Sequence, residues 1–407
     1  MSDLTLINVG IFDGESEQLR DGPIQISNGV ITKIGERDDD SGSKVLDGQG
    51  GVVTPGLIDA HFHAYAIDLD GMQFEGKPLS YAALAAAQRL SAALARGFTT
   101  VRDVAGGDIG LAMAIESGQI LAPHYLYTGP GLCQTGGHGD FRPNDLEIHF
   151  CGQPRLCEVV DGVENLRKAV RERLRLGAHA IKIFTSGGVL TPDDPLRNPQ
   201  YSAEEVSVVA EEAGRRGSYV AAHAYSPEAI EHSVRNGVRS IEHGNLLDGP
   251  TAALMAELQA YLVPTLAAYD ALDRRGPELG LSAPSLAKNR EVLDAGFRAV
   301  ELARAAGVPV GWGSDLMGEL EDEQLHGLRA QAETDGALNT LRSATTVNAR
   351  LLQRSDLGRI ACGCRGDLVL YSGNPLEDPS VLWEASKGPQ AVVLDGRVVA
   401  SRPHDRG

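Results

Sequence analysis

Hydrophobic and polar positions divide this 407-residue chain into three stretches of different period. Near the start, apolar residues alternate with polar ones in LTLINVGIF, GPIQISNGVITKIG and KVLDGQGGVVTPG, with Gly, Asn and Asp turns between the runs. The same pattern returns at the far end in GDLVLYSG and AVVLDGRVVAS. Period-two alternation bounded by turn residues predicts β-strands. Two strand-rich ends around a long middle predict one small β-sandwich domain assembled from both termini.

The middle repeats a single unit: a helix ending in Gly, a short apolar strand, and a polar residue closing the strand. Helix 81–96 stops at Gly97 and FTTVRD runs to Asp103; helix 161–176 stops at Gly177 and AHAIKIF carries Lys182. Helix 203–216 leads to SYVAAH and His223, helix 227–236 to VRSIEH and His243, and helix 289–306 to VPVGWGSD and Asp315. Glycine closes each helix because it accepts the left-handed backbone required there. Ser202 with Glu205 reads as a capping box, and Ser226 before Pro227 as an N-cap. GLIDAHFH, HYLYTG and YLVPT supply three more strands, for eight in all. Continuous apolar strands alternating with helices predict a parallel sheet covered by helices, closed as a (β/α)8 TIM barrel. An open doubly wound sheet would carry a Gly-rich phosphate loop after its first strand, where this chain has His-Phe-His. The expected division is residues 1–54 and 359–407 for the β-sandwich and 55–358 for the barrel, with 130–160 and 266–290 as long pocket loops.

Composition narrows the reading. A formal charge of −18 disfavours nucleic-acid binding, which needs a basic surface. Five cysteines in a chain of this size do not make a disulfide framework, and the spacings of Cys151 and Cys157, and of Cys362 and Cys364, are not those of a structural zinc site. The N-terminus lacks a signal-peptide pattern and no apolar run is long enough to span a bilayer, so no membrane partner and a cytoplasmic location are expected. The expected partners are a small-molecule substrate and further copies of the same chain.

The polar strand ends carry the chemistry. His61 and His63 are two apart, so along a strand both rings point the same way. Alone, an H-x-H is as readily two half-buried polar residues as a metal site. His223, His243 and Asp315 at three further strand ends change that balance, because active sites of barrels lie at the C-terminal ends of the strands and imidazole with carboxylate suits zinc, manganese, iron or cobalt. Lys182 sits mid-strand among apolar residues. A bare ammonium is costly to bury there. Either it reaches solvent or pairs with Asp103, or its lowered pKa lets the amine add CO2 and become an anionic carbamate. Arg102 and Asp103 read as a structural ion pair or as contacts behind the metal ligands, not as ligands themselves, Ser186 and Ser314 as loop or packing residues, and Trp312 as part of the barrel wall.

GLIDAHFHAY, TTVRDVAGG, AIKIFTSGG, AAHAYS, SIEHG and GSDL, in this order, resemble the amidohydrolase superfamily, and within it the prolidase-like and N-acyl-amino-acid-hydrolysing branch, with imidazolonepropionase-type enzymes as cousins. The likeness runs through nearly the whole chain. It implies two divalent metal ions, usually zinc. The more buried one would be held by His61, His63 and Asp315, the more exposed one by His223 and His243, with N6-carboxylated Lys182 and a hydroxide between them. It further implies Asp315 as the group that moves the proton, His243 within the catalytic set, and His138 and Tyr225 against the substrate. The expected reaction is hydrolysis of an amide bond in a small substrate such as an Xaa-Pro dipeptide or an N-acyl amino acid. A cyclic-amide or carbamate/urea hydrolase on the same metals, and a non-catalytic scaffold, are the alternatives.

Overall fold

The computed structural model describes residues 3–36, 42–142, 155–191, 194–384 and 386–402. Its centre is a ring of parallel strands in chain order: Leu57–Phe62, Phe98–Asp103, His124–Tyr127, Ile181–Phe184, Val220–Ala224, Ser240–His243 and Tyr261–Val263. The third strand breaks at Thr128 and Gly129, then resumes as Gly131–Cys133, which pairs with the fourth through Leu132 and Ile183. The eighth position is an irregular extended segment. It bridges the seventh strand at Val310 and Leu262. On its other side the Ala60 amide donates to the Trp312 carbonyl at 3.1 Å and the Asp315 amide to the His61 carbonyl at 2.7 Å. These bonds close the barrel between its last and first strands, so His61 and Asp315 are neighbours from opposite ends of the ring. Trp312 lies in this wall, stacked on Phe98 with ring centroids 5.0 Å apart.

The helices follow the expected signals. The Ser202–Glu205 capping box is formed in both directions, and the Ser226 hydroxyl caps the following helix through the Ala229 amide. Their apolar faces pack on the outward side chains of the sheet, with Ile181, Ile183, Val220, Ile241 and Leu262 fully buried. Burial on that scale stabilises by about 1.5–3 kcal/mol per large aliphatic side chain.

The stretch 266–290 is not a loop. Leu266–Arg275 is a helix, and Ser282 caps a second one, Ala283–Ala306, which therefore begins six residues earlier than its apolar pattern from 289 suggests. Pro284 stands in the first turn of that helix, where it needs no hydrogen-bond donor. Within 130–160 the described residues form Gly131–Cys133 and the parallel strand Cys157–Val159; residues 143–154, with Cys151, lie outside the described residues.

Both chain ends meet in a two-sheet sandwich. Leu4–Ile7, Ile24–Ser27, Val30–Ile34 and Lys44–Asp47 form one sheet. In the other, Val52–Pro55 pairs antiparallel with Leu368–Tyr371, so the start of the chain is zipped to its end. Leu6, Ile24, Ile26, Val53, Leu368 and Val393 fill the space between the sheets. No described helix is long and apolar enough to cross a membrane.

Candidate metal centre

His61 and His63 stand at the end of the first strand, and the barrel seam brings Asp315 to them. Asp315 Oδ1 lies 2.9 Å from His63 Nε2 and 3.4 Å from His61 Nε2. The other ring nitrogens decide what these contacts mean. His63 Nδ1 faces the Ala105 carbonyl at 3.1 Å, and His61 Nδ1 faces Glu242 Oε2 at 2.7 Å. A carbonyl and a carboxylate accept, so each Nδ1 is an N–H nitrogen and Nε2 is the nitrogen each ring turns toward Asp315. Two imidazole nitrogens and a carboxylate oxygen then converge within 4.8 Å of one another, an arrangement suited to a cation between them.

His223 and His243 complete the ring of imidazoles. Their centroids are 4.5 Å apart, and His243 is 5.1 Å from His61. His223 Nε2 donates to the Gly187 carbonyl at 3.0 Å, which leaves Nδ1 as its lone-pair nitrogen. His243 Nδ1 meets the hydroxyls of Thr265 and Tyr269, each at 2.8 Å. Burial holds the pKa of His61, His223 and His243 well below the ordinary histidine value, so all three rings are neutral. Lys182 is 1% exposed, and desolvation is the main cause lowering its ammonium to about 8.

Four residues here adopt left-handed backbone that side chains rarely accept: Ala105 (φ 83°), His243 (φ 72°), Thr265 (φ 47°) and Asp315 (φ 53°). Such strain persists only where surrounding structure enforces it, and it concentrates at functional sites. At His243 it has a visible effect. Neighbours on a strand point to opposite faces, yet Glu242 and His243 both reach His61.

Glu242 is a residue the sequence reading missed, and it decides between the two readings of Arg102, which stands behind a candidate ligand. Arg102 does not pair with its neighbour Asp103. Its guanidinium crosses the barrel to Glu242 Oε1 at 2.8 Å, with both side chains fully buried. Asp103 instead accepts from the Tyr125 hydroxyl at 2.8 Å and the Ala64 amide at 3.3 Å, and the pairing with Lys182 is not formed. The signal for Glu242 was present as a charged residue inside the apolar run VRSIEH, overshadowed by the histidine beside it. Asp59, two residues before His61, was also unnoticed. Its carboxylate accepts the amides of His61 and Ser314 at 3.1 and 3.0 Å, tying the first strand to the last. Ser314 Oγ reaches the His61 carbonyl and hydrogen-bonds the Asp59 carboxylate, and Ser186 Oγ meets the Gly187 carbonyl and the Tyr225 amide.

One pocket opens over these groups. Its deep end carries His61, His63, Lys182, His223, His243 and Asp315; Leu69, Phe141, Leu156, Leu272, Met317 and Leu320 line an apolar wall above. His138 is half-buried in the loop after the third strand, stacked on His223 at 4.5 Å, and its Nδ1 meets the Thr191 hydroxyl at 2.6 Å. Burial, and after it the Lys182 charge, lower His138 to about 3. Tyr225 is buried beside His243 and bonds the Tyr269 hydroxyl at 2.6 Å. Burial raises the Tyr225 phenol, so it stays protonated. Tyr269, on the helix mistaken for a loop, was absent from the sequence reading. A second His–Asp cluster, His124, Asp367 and Asp395, lies where the third strand begins, at the opposite end of the barrel. There Arg365 already occupies Asp395 at 2.7 Å.

Residues 52–399 match the amidohydrolase family. The chain belongs to that family. The A. niger ochratoxinase sequence is 31% identical over 94% of this amidohydrolase and 84% of its own length. An imidazolonepropionase of Anaeromyxobacter sp. (strain K) is 26% identical over 89% and 85%. Among solved structures, a prolidase complexed with N-methylphosphonate-L-proline is 40% identical and superposes with a TM-score of 0.95 over 98% of this chain and 100% of that one. A Xaa-Pro dipeptidase with bound methionine in its active site gives 29% and 0.86 over 98% and 99%. This amidohydrolase is a hydrolase of the metal-dependent kind, with the barrel and split β-domain expected from its sequence and His and Asp side chains arranged to hold divalent metal.

Proposed function

We propose that this amidohydrolase cleaves the amide bond of a small substrate, an Xaa-Pro dipeptide or an N-acyl amino acid, with two zinc ions. The observation that carries the reading is the convergence of the His61 and His63 Nε2 nitrogens on Asp315 Oδ1. One ion would be held by His61, His63 and Asp315 and the other by His223 and His243, with Lys182 shared between them. Lys182 has no solvent shell, so its neutral amine can attack CO2, lose one proton and become a carbamate, an anion that suits a site of cations. When bound, the metals supply a water acidified to act at neutral pH and a Lewis acid for the carbonyl.

The side chains of the chain do the rest. Asp315 Oδ takes the proton released as water attacks the carbonyl carbon and passes it to the leaving nitrogen when the C–N bond breaks. His138 and Tyr225 hold the substrate's carbonyl or carboxylate through neutral hydrogen-bond donors, and His243 shapes the floor. The apolar wall from Leu69 to Leu320 excludes water and packs against an apolar side chain or acyl group. The prolidase and dipeptidase neighbours support the same substrate class.

The test is a substrate panel on protein whose metal content has been measured. N-acyl amino acids and Xaa-Pro dipeptides should turn over, and esterifying the free carboxylate should weaken them. Turnover confined to cyclic amides or ureas overturns the substrate assignment. Protein purified without chelator that holds no divalent ion overturns the metal assignment.

A further inference from the structure

Glu242 makes three contacts inside the barrel, all without solvent. Oε1 accepts from Arg102 NH2 at 2.8 Å and from the Ser240 hydroxyl at 2.5 Å, and Oε2 faces His61 Nδ1 at 2.7 Å. Arg102 is fixed in turn. Its Nε donates to the Ala60 carbonyl at 2.6 Å, one residue before His61, and NH1 to the Tyr219 hydroxyl at 3.3 Å. The chain of contacts therefore links the second, sixth and first strands and ends on a ring nitrogen of the candidate metal centre.

We infer that Glu242, held in place by Arg102, is a positioning residue that fixes the tautomer of His61 and so presents its Nε2 lone pair to the metal. The inference rests on the metal reading above and adds a residue to it. Neutral imidazole carries one proton, and its place is set by whichever partner the other nitrogen meets. Facing Oε2, the proton belongs on Nδ1. Without that acceptor nothing at 242 holds it there, and protonation at Nε2 would turn a donor hydrogen toward Asp315 and close the gap a cation needs. A carboxylate behind a ligating histidine also fixes the ring plane, and its loss typically weakens metal binding by about 10–100-fold. Arg102 is the counter-charge that makes a fully buried carboxylate tolerable; removing it would strand Glu242. The arrangement explains why the strand must place two consecutive residues, Glu242 and His243, against the same ring, at the expense of strained backbone at His243.

The test uses Glu242→Gln, which keeps the volume and loses the charge. If its amide NH2 turns to His61, the ring must accept at Nδ1 and carry its proton on Nε2. Zinc stoichiometry after dialysis and zinc affinity by chelator competition should show one ion weakened by about 10–100-fold, the other retained, and Glu242→Asp closer to wild type than Glu242→Gln. Wild-type affinity for both ions in Glu242→Gln overturns the inference. The tautomer is read independently, from nitrogen NMR of the metal-free wild-type protein, so a variant that does not fold leaves the question answerable. His61 protonated on Nδ1 supports the role of Glu242, and protonation on Nε2 refutes it. Wild-type protein that takes up no divalent ion would sink the metal reading instead, and the metal-free spectrum still decides whether Glu242 sets the ring.

Discussion

His63 Nε2 and Asp315 Oδ1 face each other at 2.9 Å, although the Nδ1 proton of His63 is already given to the Ala105 carbonyl. Two acceptors at that distance repel unless a positive charge lies between them. A bound metal ion would supply that charge, and protons would compete with it for the same lone pairs. Zinc added to weakly buffered apoprotein should release protons, and its apparent affinity should rise with pH. Uptake without proton release removes the competition from the account.

Asp315→Asn keeps the shape but loses the charge and the proton acceptor. Activity should fall by roughly 10²–10⁴-fold, the range for a positioned acid–base group, and the ion held by His61 and His63 should weaken. Full activity in this variant, checked by kcat with metal content measured alongside, would falsify the role given to Asp315.

On the carbamate proposal, Lys182→Ala should lose metal and turnover together. A short carboxylic acid such as acetate should restore part of both by filling the space of the carbamate. Unchanged turnover in Lys182→Ala takes the carbamate out of the mechanism.

Gly188 leaves room for the His138 ring: a Cβ there would stand 2.1 Å from His138 Cε1. Gly188→Ala should therefore push His138 aside without touching any proposed metal ligand. The expected result is kcat/KM lowered by up to about 10²-fold with metal content intact, since displacement of about 1 Å at a reacting centre costs that much. If kcat/KM is unaffected, His138 does not hold the substrate.

Away from the site, Glu212 gathers Arg171 at 2.8 Å, Arg167 at 2.5 Å and Arg215 at 3.2 Å, and its pKa is pushed down to about 2, chiefly by the Arg171 hydrogen bond. A depressed carboxylate stabilises the fold above its unfolded pKa and loses that contribution as pH falls through its folded pKa. Glu212→Gln should lower thermal stability at pH 7 by about 1 kcal/mol or less, because the arginines reach solvent. The gap to wild type should close between pH ~4.5 and ~2. An equal gap at pH 7 and at pH 2 in thermal melts would show the loss to be packing and not charge.

Much of this was legible in the chain because periodicity reports burial. His61, His63, His223 and Asp315 stand at strand ends, where a polar residue breaks an apolar run, and the capping box at Ser202 announces its own helix. What stayed hidden depends on contacts between distant segments. Glu242 and Arg102 look like ordinary polar interruptions until the barrel brings the second and sixth strands together, and adjacency alone left Arg102 open to an ion pair with Asp103 as well as to a contact behind the ligands. Tyr269 was lost because LAAYDALDRR between two loop signals is too short for a firm helical period, although Asp270 and Arg274 are spaced to pair on a helix. The strain at His243 and Asp315 leaves no trace in residue type at all.

The barrel seam gives the fold a further property. His61 and His63 belong to the first strand and Asp315 to the last, and Asp59 laces the two backbones from the side. An ion seated there would act as a rivet across the joint between segments some 250 residues apart. Heat resistance should then track metal supply: starved of its ions, the cylinder should spring open along that joint before the rest of the wall gives way.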